Sequence, residues 1–96
     1  MSEKFTLEII SPDNLIIKTS AMEVVIPSFE GEMGILKGHI DLITFLRPGI
    51  IKITDDTEKN FFVEDGTVEF SNNNLLILTS TAKELKTIDK NELKIL

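Results

Sequence analysis

The fifteen residues IDLITFLRPGIIKIT, Ile40 to Thr54, carry two apolar runs rich in β-branched side chains around a single break at Arg47-Pro48-Gly49. Runs this short, bounded by proline and glycine, read as two strands rather than one helix. Pro48 and Gly49 suit the two central positions of a type II turn, where proline presets φ and glycine accepts a positive one. The same punctuation extends in both directions. Phe5, Leu7 and Ile9 alternate with Thr6 and Glu8, the period-two signature of a strand with one wet face. SPDN at 11–14 supplies a turn, and LIIKTSAMEVVIP reads as strands over 15–19 and 22–26, interrupted around Thr19 to Ala21 and stopped by Pro27. Downstream, DDTEKN marks a hairpin tip, FFVED and TVEF flank Gly66, and SNNN leads into LLILTST. About eight short, turn-punctuated strands imply an all-β sandwich or flattened barrel with antiparallel meander connections.

With 96 residues the chain has room for one domain, and a domain of that size buries only about 60 to 65% of its extended surface. The sandwich is expected over 1–82, followed by a tail over 83–96. In that tail Asp89 and Glu92 form a capping box with Ile88 positioned to staple against Leu93, a truncated helix start. A helix beginning there is too short to stand alone, since about 12 to 15 residues are needed.

Sixteen acidic residues oppose ten basic ones, for a net charge of -6. Such a body repels phosphate backbones and anionic headgroups, which argues against nucleic acid and against direct lipid insertion. All six aromatics are phenylalanine, so no tryptophan or tyrosine is present to stack on bases, as an oligonucleotide-binding barrel would want. Without cysteine there is neither a disulfide framework nor a thiolate metal site. The acidic start MSEKFTLEII does not read as a signal or transit peptide, and no stretch reaches the roughly eighteen apolar residues of a membrane span.

The candidate site is EGEMGILKGHIDLI, residues 30 to 43, with Gly31, Gly34 and Gly38 close together. As a phosphate cradle it fails: Lys37 precedes Gly38, no Ser or Thr follows to hold magnesium, and Glu30 and Glu32 repel phosphate. An imidazole ordinarily titrates near neutrality, so His39, the only histidine, is the candidate general base, with Asp41 as its nearest orienting carboxylate. The plainer reading is a ring that bonds a backbone carbonyl and fixes the loop. Asp55, Asp56, Glu64 and Asp65 lack the spacing and the glycine of a calcium loop. No metal and no cofactor is expected. What remains is a tight loop whose Met33, Ile35 and Leu36 either anchor it to the core or offer an apolar contact rimmed by Glu30, Glu32 and Lys37.

Taken together, EGEMGILKGH, then LITFLRPGIIKI, then Gly66 before TVEF and a final LLILTSTA, resemble the epsilon-subunit family of the F-type ATP synthases, counterpart of the mitochondrial delta subunit. Glu30, Gly31, Glu32, Gly34, Ile35, Gly38, His39, Leu42, Pro48 and Gly49 all match that family's pattern. The resemblance implies a flattened ten-stranded β-sandwich that catalyses nothing. It would bind the rotating gamma subunit, sit on the c-subunit ring, and reach the alpha/beta catalytic head only indirectly. It also implies a peripheral place on the cytoplasmic face of a bacterial inner membrane, where torque carried by the rotor couples proton flow to ATP synthesis. Glu30, Gly31, Glu32, Met33, Gly34, Ile35, Leu36, Lys37, Gly38, His39 and Asp41 become interface candidates, and Pro48, Gly49 and Gly66 structural turns. Three departures stand out: Lys37 and Asp41 where the family favours proline, and Asp65 where a Gly-Gly pair often begins. Longer members carry a C-terminal two-helix hairpin of which only the opening cap is seen here, so neither nucleotide binding nor inhibition of hydrolysis is carried over. The competing reading is a free-standing β-sandwich module, binding or enzymatic, that uses His39 and Asp41.

Overall fold

A computed structural model describes residues 3–85. It contains ten strands: β1 Phe5–Ile10, β2 Leu15–Ala21, β3 Glu23–Ser28, β4 Gly31–Leu36, β5 Leu42–Phe45, β6 Gly49–Thr54, β7 Glu58–Val63, β8 Thr67–Ser71, β9 Asn74–Leu78 and β10 Ala82–Leu85. They form two five-stranded sheets, ordered β2-β1-β9-β8-β5 and β10-β7-β6-β3-β4. The sequence reading undercounted the strands, and the ten-stranded sandwich implied by the family resemblance is what the chain forms.

Alternation builds the core. Phe5, Leu7 and Ile9 of β1, with Val68, Phe70, Leu75 and Ile77, face Val24, Ile26, Ile35, Ile51, Ile53, Phe61 and Val63 of the other sheet, all buried. Each such side chain taken out of water contributes about 1.5 to 3 kcal/mol before entropy is counted. Phe5 and Phe70 meet edge to face with ring centroids 5.6 Å apart, the arrangement the ring quadrupoles favour. At the rim Lys4 reaches Asp55 at 2.8 Å, and that hydrogen bond holds the lysine amine above its ordinary pKa.

Several details depart from the sequence reading. Residues 31–36 are strand β4 rather than loop, because β3 needs an outer partner: Val25 pairs with Gly34 and Ser28 with Gly31, leaving Phe29 and Glu30 as the turn. β2 runs unbroken through Thr19 to Ala21, so Met22 alone separates it from β3. The connections are not a pure meander, since β1 pairs in parallel with β9, Leu7 beside Leu75. Gly49 is not the positive-φ residue of a type II turn. It opens β6, and glycine is required because a Cβ there would lie 2.8 Å from the Pro27 ring. β10 continues to Leu85, past the boundary expected at 82. The capping box at Asp89 to Glu92 lies outside the described residues.

The tightest point is the crossing of the β7–β8 turn over the segment between β9 and β10. Gly66 has φ +148, and a Cβ would lie 2.5 Å from the Leu78 carbonyl oxygen. Beside it the buried Thr79 hydroxyl lies 2.7 Å from both the Asp65 and the Thr81 carbonyl oxygens. The Asp65 carboxylate accepts Ser80 Oγ–H at 2.8 Å and Ser80 N–H at 3.2 Å. These Ser80 bonds hold the Asp65 carboxyl below its ordinary pKa against the opposing effect of desolvation.

Gly66→Ala therefore combines backbone strain with a main-chain clash and should cost about 3 kcal/mol in urea unfolding. Gly31→Ala, with φ +120 but open space around the added carbon, should cost about 1 kcal/mol. For Asp65 the folded state holds the proton less tightly than the unfolded chain does. The stability it contributes is complete above about pH 4 and is lost as pH falls through the lowered folded value. Asp65→Asn should accordingly show a shallower loss of urea midpoint than wild type on acidification below about pH 4.

Candidate protein interface

The residues from Glu30 to Asp41 occupy three settings. At the β3–β4 turn, Glu30 Oε1 accepts the Thr44 hydroxyl proton at 2.9 Å, so the carboxylate is tied to β5 while the residue stays exposed. Along β4, Glu32, Gly34 and Leu36 are exposed, Met33 packs partly against the core, and Ile35 is completely buried. Ile35 thus serves the core, because it faces inward beside Val24. It offers no surface to a partner. Leu36, by contrast, does.

The crossover from β4 to β5 contains the remaining candidates. Lys37 and Gly38 form a turn closed by His39 N–H on Leu36 O at 3.0 Å, and the Gly38 N–H is accepted by Asn73 Oδ1 at 2.7 Å. The His39 ring places Nδ1 2.7 Å from the Ile40 carbonyl oxygen, which fixes the proton on that nitrogen. It also stands edge-on to Phe70 with centroids 5.9 Å apart. A ring committed to a carbonyl and wedged on a core phenylalanine is an organiser of backbone. Among the hydrogen bonds of the described residues none joins His39 to Asp41, and Asp41 points to solvent. Nor, among the described residues, do three His, Cys, Asp or Glu side chains converge as metal ligands would.

Sequence reasoning missed an apolar groove on the outer face of the first sheet. Pairing aligns Phe45, Thr67, Leu78 and Ile10 in one row across β5, β8, β9 and β1. Phe29 from the β3–β4 turn packs beside Phe45 with ring centroids 6.4 Å apart. With Pro12 these side chains line an open groove of about 940 Å³, edged on one side by Asp65 and Ser80. Phe29 is 65% exposed, Phe45 56% and Leu78 46%. Farther along the same sheet Ile43 is 75% exposed, and Ile40 in the crossover 79%. The available signal was the continuity of LITFL. Strands apolar on both faces are normally covered on both, yet β5 is the last strand of its sheet and its inward residues are Leu42 and Thr44. Its outward Ile43 and Phe45 have no cover within the described chain.

Residues 4–85 match the family described as ATP synthase, Delta/Epsilon chain, beta-sandwich domain. The chain is similar to the ATP synthase epsilon chain of Pelagibacter ubique, 55% identical over 95 residues that make up 97% of this chain and 73% of that one. It is 38% identical to the ATP synthase epsilon chain of Lawsonia intracellularis over 90 residues, covering 93% and 68% of the two chains. Among solved structures it resembles a chain of the Euglena gracilis mitochondrial ATP synthase, seen by cryo-electron microscopy in an OSCP/F1/c-ring assembly. That match has TM-score 0.82 and 26% identity over 96% of this chain, and spans 60% of the Euglena chain. A chain of the Tetrahymena thermophila mitochondrial ATP synthase central stalk and c-ring shares the fold, with TM-score 0.72 at 17% identity.

If the groove side chains serve contact rather than folding, Phe45→Ala should change the free energy of urea unfolding by less than about 1 kcal/mol. Phe70→Ala, from the core, should cost about 3 to 5 kcal/mol.

Proposed function

Since the chain belongs to the ATP synthase delta/epsilon-chain family, its beta-sandwich domain spanning residues 4–85, we propose that it works as a noncatalytic rotor subunit of an F-type ATP synthase central stalk. It joins the gamma subunit to the c-subunit ring and helps couple ion translocation to ATP synthesis carried out in the alpha/beta head. The observation that carries this reading is the 55% identity to an ATP synthase epsilon chain across 97% of the present chain. Its place is peripheral, on the cytoplasmic face of the inner membrane, held there by the complex.

A part that passes torque must be gripped on two sides and must not yield between them. The groove of Phe29, Phe45, Leu78 and Ile10 suits the gamma subunit: aromatic anchors in an apolar cleft are the kind of residue that dominates association energy. The acidic rim of Glu30 and Glu32, with Lys37 and the crossover beyond, suits the polar loops of the c ring. Opposite charge there would set register and speed encounter. Phe29 and Glu30 are consecutive residues of one turn, so the two grips adjoin. Support for stiffness between them comes from main-chain bonds that tie this turn to β5, Phe29 N–H to Phe45 O at 3.1 Å and Arg47 N–H to Pro27 O at 2.8 Å. No observation favours the free-standing module built on His39 and Asp41, because the His39 ring is engaged by the Ile40 carbonyl.

On adding gamma subunit and c ring, backbone amides within residues 30–43 should gain protection from hydrogen exchange, and a stable complex with unchanged exchange there would remove the docking role of this segment. Phe45→Glu should weaken capture of the gamma subunit by at least about thirtyfold, the effect of losing a central aromatic anchor, while leaving the thermal unfolding midpoint close to that of the wild type.

A further inference from the structure

The two residues between β8 and β9, Asn72 and Asn73, have φ 51 and 55. Two left-handed residues in a two-residue hairpin turn are what strand twist demands, and glycine is the usual choice for the second. For the turn alone asparagine is the poorer choice there, since glycine adopts positive φ at no steric cost. The Asn73 side chain finds its partner elsewhere. Its Oδ1 accepts the Gly38 N–H at 2.7 Å, thirty-five positions earlier in the chain. Its own carbonyl accepts the Thr6 N–H at 3.1 Å. Asn73 is therefore clamped to β1 through its backbone and holds the β4–β5 crossover through its side chain.

That crossover passes from one sheet to the other, and neither Lys37 nor Asp41 restricts φ as a proline would. Its internal ties are the His39 N–H bond to Leu36 O and the His39 ring bond to Ile40 O. Both are local. Among the hydrogen bonds of the described residues, the Asn73 bond is the long-range one at the residue where the chain turns. With the edge contact of the His39 ring on Phe70, it fixes where Ile40, 79% exposed, and the charges of Lys37 and Asp41 stand relative to the sandwich.

We propose that Asn73 is a positioning residue for assembly: by accepting the Gly38 N–H it holds residues 37–41 in the shape that meets the c ring. The inference rests on the docking reading of residues 30–43. A loop ordered beforehand spares the ordering cost that association would otherwise include.

Two substitutions separate this role from a plain turn role. Asn73→Gly keeps the left-handed backbone and removes the acceptor, whereas Asn73→Asp keeps an acceptor oxygen. In the free full-length chain, Asn73→Gly should speed exchange of the Gly38 amide about two- to tenfold with an unchanged or higher thermal midpoint. It should weaken binding to assembled gamma subunit and c ring by a similar factor, and Asn73→Asp should restore both. A turn residue with no positioning role would leave the glycine variant equal to wild type or better in every measurement. Unchanged Gly38 exchange in Asn73→Gly, or faster exchange with undiminished binding, would overturn the proposal. The docking reading fails on a different result: a wild-type complex in which residues 37–41 gain no protection discards that reading and the assembly role of Asn73 with it, even if Asn73→Gly still loosens Gly38.

Discussion

The sandwich depends on a seam where a turn of one sheet is stitched to the last strand of the other. Ser28 bridges to Leu46, the Phe29 and Arg47 amides donate to the Phe45 and Pro27 carbonyls, and the Thr44 hydroxyl donates to Glu30. Most of the remaining contact between the two sheets is apolar, which resists separation but has little directional preference. The seam supplies direction. Sliding one sheet over the other would strip several main-chain groups of partners at once, and each loss in a shielded place costs about 1 to 3 kcal/mol. The Thr79, Asp65 and Ser80 cluster makes a second junction, under Gly66 and next to Leu46.

Placed so, the seam decides what the outer surface looks like. Thr44 faces inward to reach Glu30, with Leu42 and Leu46 packed into the core on the same side, so Ile43 and Phe45 face out. The groove and the acidic rim thus share one strand, whose inward face is held by those three residues. A load applied to Glu30 reaches Phe45 through the hydrogen bond from its neighbour Thr44, and also through Phe29 and the Phe29 N–H bond to the Phe45 carbonyl, and a close-packed core behind them has little compressibility to absorb it.

The architecture was legible where alternation was clean. Phe5, Leu7 and Ile9 gave β1 its wet and dry faces, whereas Pro27, expected to stop β3, lies inside it, paired with Glu32 one residue before the strand ends at Ser28. Illegible were features set by residues distant in sequence. Gly31 to Leu36 looked like a loop because glycine is a poor strand former, and only the need of β3 for a neighbour makes it a strand. Gly49 looked like a turn residue, and the Pro27 ring that actually demands it lies twenty-two positions away. For the interface, the family pattern picked out Glu30 to Asp41. It also included Ile35, whose inward direction depends on the register of β4. It omitted Phe29 and Phe45, whose neighbourhood exists only after β3–β4 and β5 have met.

The parallel pairing of β1 with β9 bears on how the chain is made. Leu7 cannot find Leu75 until nearly all of the described chain has left the ribosome, and β5 cannot find β8 much earlier. At a synthesis rate of about 5 to 20 residues per second, the first sheet stays open for several seconds while the hairpins of the second can already close. During that interval Phe5, Leu7 and Ile9 have only β2 beside them, and the unpaired edge of β5 presents Ile43 and Phe45 to any other nascent chain. Non-local closure of this kind is slow for entropic reasons. The exposed side chains proposed to serve assembly would then also benefit from an early partner or a chaperone during biogenesis.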